Sequence, residues 1–494
     1  MSNYSALFES LSHGVPASTD SILVYPYSYN TEGSTAVVMM KEGTQRLIAA
    51  AGSGPLFDEL QGTADGTGKI CACSTENRKI LQKYFTFLVP AAAGKKRASI
   101  GLGDRLGRAT PGHIEAVKGH GLFPVFAQQS IRELTLTGRT YDDVLDYAVY
   151  AVLCEGYKDG FGADGDHLKT EADIRMSLDL GFTMITLDCS EKIINTAAMS
   201  DNDVRAAFSA LPDAIRDQYA NRYSGKNISF CGASFTISET AMMRNTVVYS
   251  SAIDFIEKIF ATYIKTAGRD IDFEVSIDET STPTSPEAHF IVANELMLRG
   301  VNITSMAPRF CGEFQKGIDY IGNCNQFETE FIAHAAIARH FGYKVSIHSG
   351  SDKFSVFPVI AKHTEGLFHV KTAGTNWLEA VKVIALKEPA LYREMHQFAR
   401  DHFEEAKKYY HVTTDLNAIK PLDAVRDCDL VQYMAEDNAR QLMHITYGIL
   451  LNAKTGSGGD LFRKRFFSAL DAYAGEYRKN LMSHIGRHIQ LLGK

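Results

Sequence analysis

Two histidines, His167 and His348, have neighbours that suit them to metal binding. His167 follows Asp164 and Asp166, and His348 ends the apolar run that includes Val345 and Ile347. Imidazole nitrogens combined with oxygen ligands form typical sites for divalent metals. A lone histidine is more often a hydrogen-bonded surface residue, so the metal hypothesis requires the fold to bring both rings together. We then expect one divalent cation, with Zn, Mn, Ni and Fe left open.

Other polar side chains end similar runs and could bind an acidic substrate or transfer protons. They include Asp104, Arg105, Gln128, Gln129, Asp188, Asp278, Glu279 and Lys371. The segment 309–320, RFCGEFQKGIDY, is too long and polar for a bare connection. There, Gln315 or Glu313 could supply a metal-binding oxygen, and Arg309 could bind a carboxylate through its planar guanidinium. We expect Arg309, Lys371 and Gln128 to bind substrate, with a Schiff base on Lys371 as the alternative.

The elements that carry these residues repeat as strand, polar cluster and amphipathic helix. The predicted strands are Ser99–Gly103, Pro124–Gln128, Phe161–Asp166, Phe182–Asp188, Phe273–Asp278, Ile303–Ala307, Lys344–His348 and Leu367–Thr372. Eight such units in about 280 residues predict a (β/α)8 barrel of the triosephosphate-isomerase type, which typically takes about 250 residues. An open doubly wound sheet is the alternative, but the segment 101–107, GLGDRLG, lacks the spacing of a dinucleotide-binding loop.

Local signals mark where the helices begin and end. Thr110 before Pro111, the pair Ser130 and Glu133, and Ser285 before Pro286 each predict a capped helix start. The glycines at 181, 300 and 342 predict left-handed helix ends.

Strand parity predicts which side chains point into the barrel. In the segment 273–279, FEVSIDE, Val275 and Ile277 should face the helices, so Glu274 and Asp278 should point inward. The same rule places His348 and Lys371 inside, where polar strand ends form the active site of such barrels. A buried carboxylate such as Glu274 must be paired or functional, because burying it alone is costly.

The barrel accounts for only part of the chain. We expect residues 1–96 to form an N-terminal extension, with a strand pair turning at Glu42 and Gly43. The barrel should occupy 97–389, with an insertion around 190–270, and 390–494 should form a helical extension.

Composition narrows the class of protein. The chain has 494 residues, 45% hydrophobic and 22% charged, with a net charge of -7, which is typical of a folded soluble protein. The charge argues against nucleic-acid or membrane partners, and the N-terminus lacks a secretory pattern. We expect a cytoplasmic enzyme for a small acidic substrate, without a nucleotide cofactor, and leave assembly into homo-oligomers open.

Several motifs together resemble the tagaturonate epimerase family. They are GLGDRLGRATPGHI, PVFAQQSIREL, GFGADGDHLKT, FTMITLDCS, SIDETSTPTSPEAHF, APRFCGEFQKGIDYIG and KVSIHSGSDKFS, and they span the predicted barrel. The resemblance implies metal-dependent interconversion of D-tagaturonate and D-fructuronate. It also implies Asp166 as proton acceptor, Glu274 as proton donor, and His167, Gln315 and His348 as metal ligands. Glu279 remains an alternative to Glu274, and Glu313 to Gln315.

The chemistry of such an epimerisation restricts the mechanism. The carbon that inverts, C4, carries no acidic proton, because it lies one carbon too far from the ketone and the carboxylate. Retro-aldol cleavage of the C3–C4 bond avoids this problem, and a metal would stabilise the resulting enolate. A hydride-transfer epimerase would need a bound nicotinamide. The same residues would also fit a metal-dependent barrel hydrolase, another sugar-acid isomerase or a non-catalytic sugar-acid-binding protein.

Overall fold

The computed structural model describes residues 4–231 and 233–494, and its N-terminal region is a five-stranded antiparallel sheet. The elements are α1 Ser5–Ser12, β1 Ile22–Glu32, β2 Ser34–Glu42, β3 Gln45–Ser53, α2 Pro55–Glu59, β4 Gly62–Asp65, β5 Gly68–Ala72 and α3 Thr75–Tyr84. The predicted strand pair is confirmed as β2 and β3, in which Glu42 pairs with Gln45. Gly43 supplies the positive φ of 57° that this tight turn requires.

Eight parallel strands then close into the predicted barrel, in the order β12-β13-β14-β15-β6-β7-β8-β9. Its elements are β6 Ser99–Leu102, α4 Thr110–Val117, β7 Phe123–Ser130, α5 Ile131–Thr137, α6 Tyr141–Cys154, β8 Gly162–Leu168, α7 Glu171–Leu180, β9 Met184–Asp188, α8 Asp201–Ser209, α9 Asp213–Tyr223, β10 Lys226–Phe230, β11 Ala233–Ile237, α10 Glu239–Ile259, β12 Asp272–Ile277, α11 Pro286–Leu298, β13 Ser305–Pro308, α12 Cys324–Phe341, β14 Lys344–Ile347, α13 Phe357–His363, β15 Phe368–Thr372 and α14 Thr375–Lys387. All eight predicted strands are present, with ends shifted by one or two residues in most cases.

Barrel strands are buried along almost their whole length because helices cover the outside and side chains fill the inside. Helices α8 to α10 and the hairpin of β10 and β11 lie between the fourth and fifth barrel strands, where the sequence is longer than one helix needs. Among the residues that the structure describes, no helix combines the length and hydrophobicity that a membrane-spanning segment requires.

Most of the predicted helix caps are confirmed. Ser130 and Glu133 form a reciprocal capping box at α5, and Ser285 accepts a hydrogen bond at the start of α11. Helix α4 begins at Thr110 as predicted and has Pro111 in its first turn, but the predicted cap by the Thr110 hydroxyl was wrong, because the carboxylate of Asp104 accepts the N–H of Ala109 at 2.7 Å instead. A carboxylate also interacts favourably with the positive end of the helix.

The C-terminal region is helical and packs against the barrel through α14. Its helices are α15 Pro389–Asp401, α16 Phe403–Ala406, α17 Asp437–Ile445, α18 Tyr447–Asn452, α19 Arg463–Ala472 and α20 Ala474–Leu491. Trp377 of α14 is fully buried, stacks on Phe466 at 5.0 Å and donates from Nε1 to the carbonyl of Met443 at 2.7 Å. These contacts fix the extension over the carboxyl end of the last strand.

A charged cluster joins α20 to the loop that follows β14. The carboxylate of Asp352 accepts hydrogen bonds from His484 and, at 2.8 Å, from the guanidinium of Arg440. The main-chain N–H of Asp352 donates to Nε2 of His488 at 3.0 Å. The other nitrogen of His484 lies 3.1 Å from Glu379. Burial lowers the pKa of His484, but the two carboxylates outweigh it and raise that pKa to about 9. The cluster therefore contains a charged imidazole between two carboxylates.

We predict that His484 makes stability depend on pH. A histidine has a pKa of about 6.5 when unfolded, so this stabilisation is complete below about pH 6.5. It is lost as the pH rises through the folded pKa of about 9. His484→Gln should thus lower the unfolding temperature much more at pH 6.5 than at pH 9.5, as followed by thermal unfolding. Substitution of the exposed His13 by Gln is the control, and an equal loss in His484→Gln at both pH values would contradict the assignment.

Candidate active site

The carboxyl ends of the barrel strands open into a polar cavity of about 620 Å³. Loops after the barrel strands line most of it, and residues 409–411 of the C-terminal extension contribute Tyr409, Tyr410 and His411. This is the end of the barrel at which catalytic groups are expected.

At the bottom of the cavity, the ammonium group of Lys371 lies among three carboxylates that come from two other strands. Its Nζ is 2.8 Å from Asp164, 2.7 Å from Asp166 and 3.0 Å from Glu274, and it also contacts the hydroxyl of Thr186. Burial lowers the pKa of Lys371, but the three carboxylates raise it well above its usual range. All of these groups are buried, so the network is compensated internally.

A bulge in β8 brings both Asp166 and His167 to the cavity. Simple alternation would send the two side chains to opposite faces, but the pairing of β8 with β9 shifts register between Gly165 and Leu168. His167 takes a positive φ of 54° there. A Cβ on Gly165 would come within 2.9 Å of both Leu168 and Ser177, so the bulge leaves no room for a side chain at that position.

Each of the two predicted metal-binding histidines is held by a carboxylate. Nδ1 of His167 lies 2.7 Å from Asp166, and Nε2 of His348 lies 2.7 Å from Glu274. Burial opposes the charge of Asp166, yet His167 and Lys371 hold its pKa well below the usual range. Hydrogen bonds of this kind fix the tautomer and orientation of a metal-binding imidazole.

The remaining histidine nitrogens face a common position beside Asp278. The rings of His167 and His348 are 4.8 Å apart, and one ligand atom from each, with one from Asp278, lies within 4.8 Å of the others. Nδ1 of His348 is buried without a hydrogen-bond partner in the described residues, although Asp278 Oδ2 is 3.2 Å away. Two imidazoles, a carboxylate and an unused buried nitrogen fit a divalent metal.

The electrostatics of this position also favour a cation. Burial lowers the pKa of His348, but Asp278 and Glu274 raise it to about 10. Burial raises the pKa of Asp278, but the imidazoles of His348 and His167 outweigh it and hold that pKa well below its usual range. A bound metal would replace the proton that this negative environment stabilises.

The other residues implied by the resemblance occupy different surroundings. Glu274 is fully buried behind His348, outside the cavity lining, and both of its oxygens accept hydrogen bonds. Gln315 lines the cavity, but its Oε1 accepts from Thr413 at 3.0 Å and from Gln441 at 2.9 Å. Glu279 and Glu313, which could take the places of Glu274 and Gln315, also line the cavity.

The predicted substrate-binding residues are all at the cavity. Gln128 lines the cavity, and its buried Oε1 has no hydrogen-bond partner in the described residues. The side chain of Gln128 lies directly over Gly101, where a Cβ atom would come within 1.6 Å of Oε1. Arg309 donates to the carbonyl of Thr280. The ammonium of Lys371 is already surrounded by the carboxylates described above, and its charged state disfavours a Schiff base.

Sequence reasoning overlooked several cavity residues. Asp278 was recognised as an inward carboxylate but was not assigned to the metal. Arg132 follows the N-cap of α5, Lys316 adjoins Gln315, and Tyr410 belongs to the C-terminal extension. Arg132 and Lys316 could have been suspected, because Arg132 follows a predicted strand end and Lys316 lies within the polar segment 309–320, whereas no local signal marks Tyr410.

Comparisons with known proteins identify the family of the chain. Residues 25–492 match the family UxaE, tagaturonate epimerase. The tagaturonate/fructuronate epimerase of Thermotoga maritima is 43% identical over 475 residues, which cover 95% of this chain and 96% of that protein. A crystal structure of the fructuronate-tagaturonate epimerase UxaE from Cohnella laeviribosi, complexed with one glycerol, is 55% identical with a TM-score of 0.94 and covers 96% of both chains. The native crystal structure of that enzyme gives 53% identity and a TM-score of 0.95, with 99% of each chain covered. The chain therefore belongs to the tagaturonate epimerase family.

Proposed function

We propose that this protein is an isomerase that interconverts D-tagaturonate and D-fructuronate with the help of a divalent metal. The observation that carries the proposal is the convergence of His167, His348 and Asp278 in a cavity lined by arginine and lysine side chains. Each of the two histidines is hydrogen-bonded to a carboxylate. The relatives from Thermotoga maritima and Cohnella laeviribosi carry names for the same interconversion. Imidazole and carboxylate ligands of this kind suit Zn, Mn, Ni or Fe.

We assign the C4 inversion to retro-aldol cleavage and re-closure, with Asp166 as the base. One oxygen of Asp166 is used by His167 and Lys371, while Oδ2 has no hydrogen-bond partner in the described residues. That oxygen can take the proton of the C4 hydroxyl. The C3–C4 bond then breaks, C4 becomes an aldehyde, and the electron pair forms an enolate across C3 and C2. Rotation of the aldehyde before the bond re-forms inverts C4, and the new alkoxide takes up a proton.

His167, His348 and Asp278 are the residues that we expect to hold the metal, and Gln315 stays a predicted ligand. Coordination by Gln315 Oε1 would require that oxygen to share or exchange its contacts with Thr413 and Gln441. A divalent cation in this position would act as a Lewis acid for negative charge on the substrate.

We assign Glu274 a positioning role in place of direct proton donation. Burial raises the pKa of Glu274, but Lys371 and His348 lower it well below its usual range, so the group is ionised. Because its oxygens are occupied and it does not line the cavity, it acts on the reaction through the orientation of His348. We then assign the acid role to Glu279, which lines the cavity: its protonated carboxyl donates a proton to the re-formed alkoxide, and exchange with solvent reprotonates Glu279 and removes the proton from Asp166.

The proposed activity can be tested with purified protein and D-tagaturonate. NMR should reveal D-fructuronate as a product of unchanged mass, chelation should stop the reaction, and one of the four metals should restore it. A hydrolase would produce fragments or water-added products from other substrates and none from this one. If the protein binds D-tagaturonate but converts it with none of the four metals, it is a sugar-acid-binding protein and the enzymatic proposal is refuted.

Three substitutions separate the proposed roles of the carboxylates. Asp166→Asn should lower kcat by about 10²- to 10⁴-fold even at saturating metal, because the base is lost. Glu279→Gln should also lower kcat with normal metal affinity. Glu274→Gln should instead weaken metal binding by about 10- to 100-fold, and excess metal should restore most of kcat.

Metal titration and steady-state kinetics on the three variants provide the measurement. If the Glu274→Gln variant binds metal fully and still shows no turnover, Glu274 is the proton donor and the positioning role is wrong. Normal kcat in Asp166→Asn would remove Asp166 as the base.

A further inference from the structure

The cavity is lined by five arginine and lysine side chains, and three of them are already engaged. They are Arg105, Arg132, Arg309, Lys316 and Lys371. Two bonds of 2.6 Å and 2.8 Å join Arg105 to Glu133, and three carboxylates surround Lys371. Arg309 donates to the carbonyl of Thr280. Within the described residues, Arg132 and Lys316 are then the cavity cations that have neither a carboxylate nor a main-chain carbonyl as partner.

Arg132 presents an open guanidinium at the cavity. No hydrogen bond or ion pair is made by its side chain among the described residues, and the residue is exposed. Its guanidinium carbon lies 5.1 Å from the centre of the Tyr410 ring, which supports one face through a cation–π contact. The capping box of Ser130 and Glu133 fixes the start of α5 and thereby the position from which Arg132 projects. A supported planar guanidinium suits bidentate binding of a carboxylate.

Lys316 brings a second positive charge to the same region. Its ammonium donates to Ser349 at 2.8 Å, and the other two donor positions have no partner among the described residues. Ser349 directly follows His348, so Lys316 stands beside the predicted metal ligands. Arg132 and Lys316 line the same cavity as Arg105, so a bound anion would reduce the repulsion among these positive charges.

We propose that Arg132 and Lys316 bind the carboxylate of the substrate and make the enzyme specific for sugar acids over neutral sugars. The inference rests on the proposed function, since it names the groups that recognise a hexuronate in that site. It differs from the sequence-based expectation, which gave the carboxylate to Arg309 and Lys371. The carboxylate carbon and the ketone lie at opposite ends of the substrate, so binding at this pair fixes the orientation of the C3–C4 bond near Asp166.

The test compares an acid with its neutral counterpart. D-gluconate and D-glucitol are unreactive probes that differ by a carboxylate and a hydroxymethyl group, and calorimetry measures their binding to the metal-loaded protein. Arg132→Gln and Lys316→Met should each raise the KM for D-tagaturonate by about 10- to 100-fold, with kcat within about threefold of the original. The double variant should bind the two probes equally.

Matched variants separate loss of recognition from loss of structure or net charge. Arg132→Lys and Lys316→Arg keep the charge and should retain part of the preference for D-gluconate. Lys362→Met removes one positive charge at an exposed site that pairs with Glu328, and should change neither KM nor probe binding. Unfolding temperature and metal content report whether the folded site is intact.

The outcomes distinguish this inference from the proposed function. An unchanged KM in the double variant, or loss of the acid preference in Arg309→Gln alone, would overturn the carboxylate assignment while epimerisation stands. A wild-type protein that prefers D-gluconate, loses that preference in the double variant and yet epimerises no hexuronate would support the assignment and refute the proposed function.

Discussion

Three carboxylates can meet inside this barrel because the ammonium group of Lys371 stands between them. Asp164, Asp166 and Glu274 come from two strands, and Lys371 comes from a third on the far side of the ring. Buried carboxylates without this charge would repel one another: even with Lys371 in place, burial and the charges of Asp166 and Glu274 raise the pKa of Asp164 to about 6. Lys371 therefore lets Asp166 and Glu274 remain ionised. As ionised acceptors they can hold His167 and His348 by their ring nitrogens, which orients the site.

The backbone conformation at His167 and in the loop after β14 also orients the site. The bulge at His167 turns its ring toward His348, and Ser349 and Asp352 in the loop after β14 adopt φ values of 50° and 65°. Such conformations persist when surrounding contacts fix them. Here the surrounding contacts include α20, through the cluster of Asp352, His484 and His488. The C-terminal extension thus stabilises the loop that follows His348 and also covers the cavity with Tyr410.

The barrel and the convergence of its inward side chains could be predicted because both follow from local patterns. Alternating apolar residues locate the strands, and parity places Glu274 and Lys371 inside a closed ring, where they meet. The bulge at His167 has no equally clear signal, since it depends on the space that Gly165 leaves beside Ser177. The surroundings of Gln315 come from partners 98 and 126 residues away, which no local spacing reveals. The cap of α4 was assigned to the wrong side chain because Asp104 reaches it through a loop turn.

The central claim is that His167, His348 and Asp278 share one cation. Anomalous diffraction from crystals grown with the metal that supports activity, recorded at its absorption edge, tests it most directly. The account predicts the strongest peak about 2.0–2.2 Å from a nitrogen of each histidine and an oxygen of Asp278. A peak among Asp352, His484 and His488 instead, or none in the barrel mouth of active crystals, would contradict it.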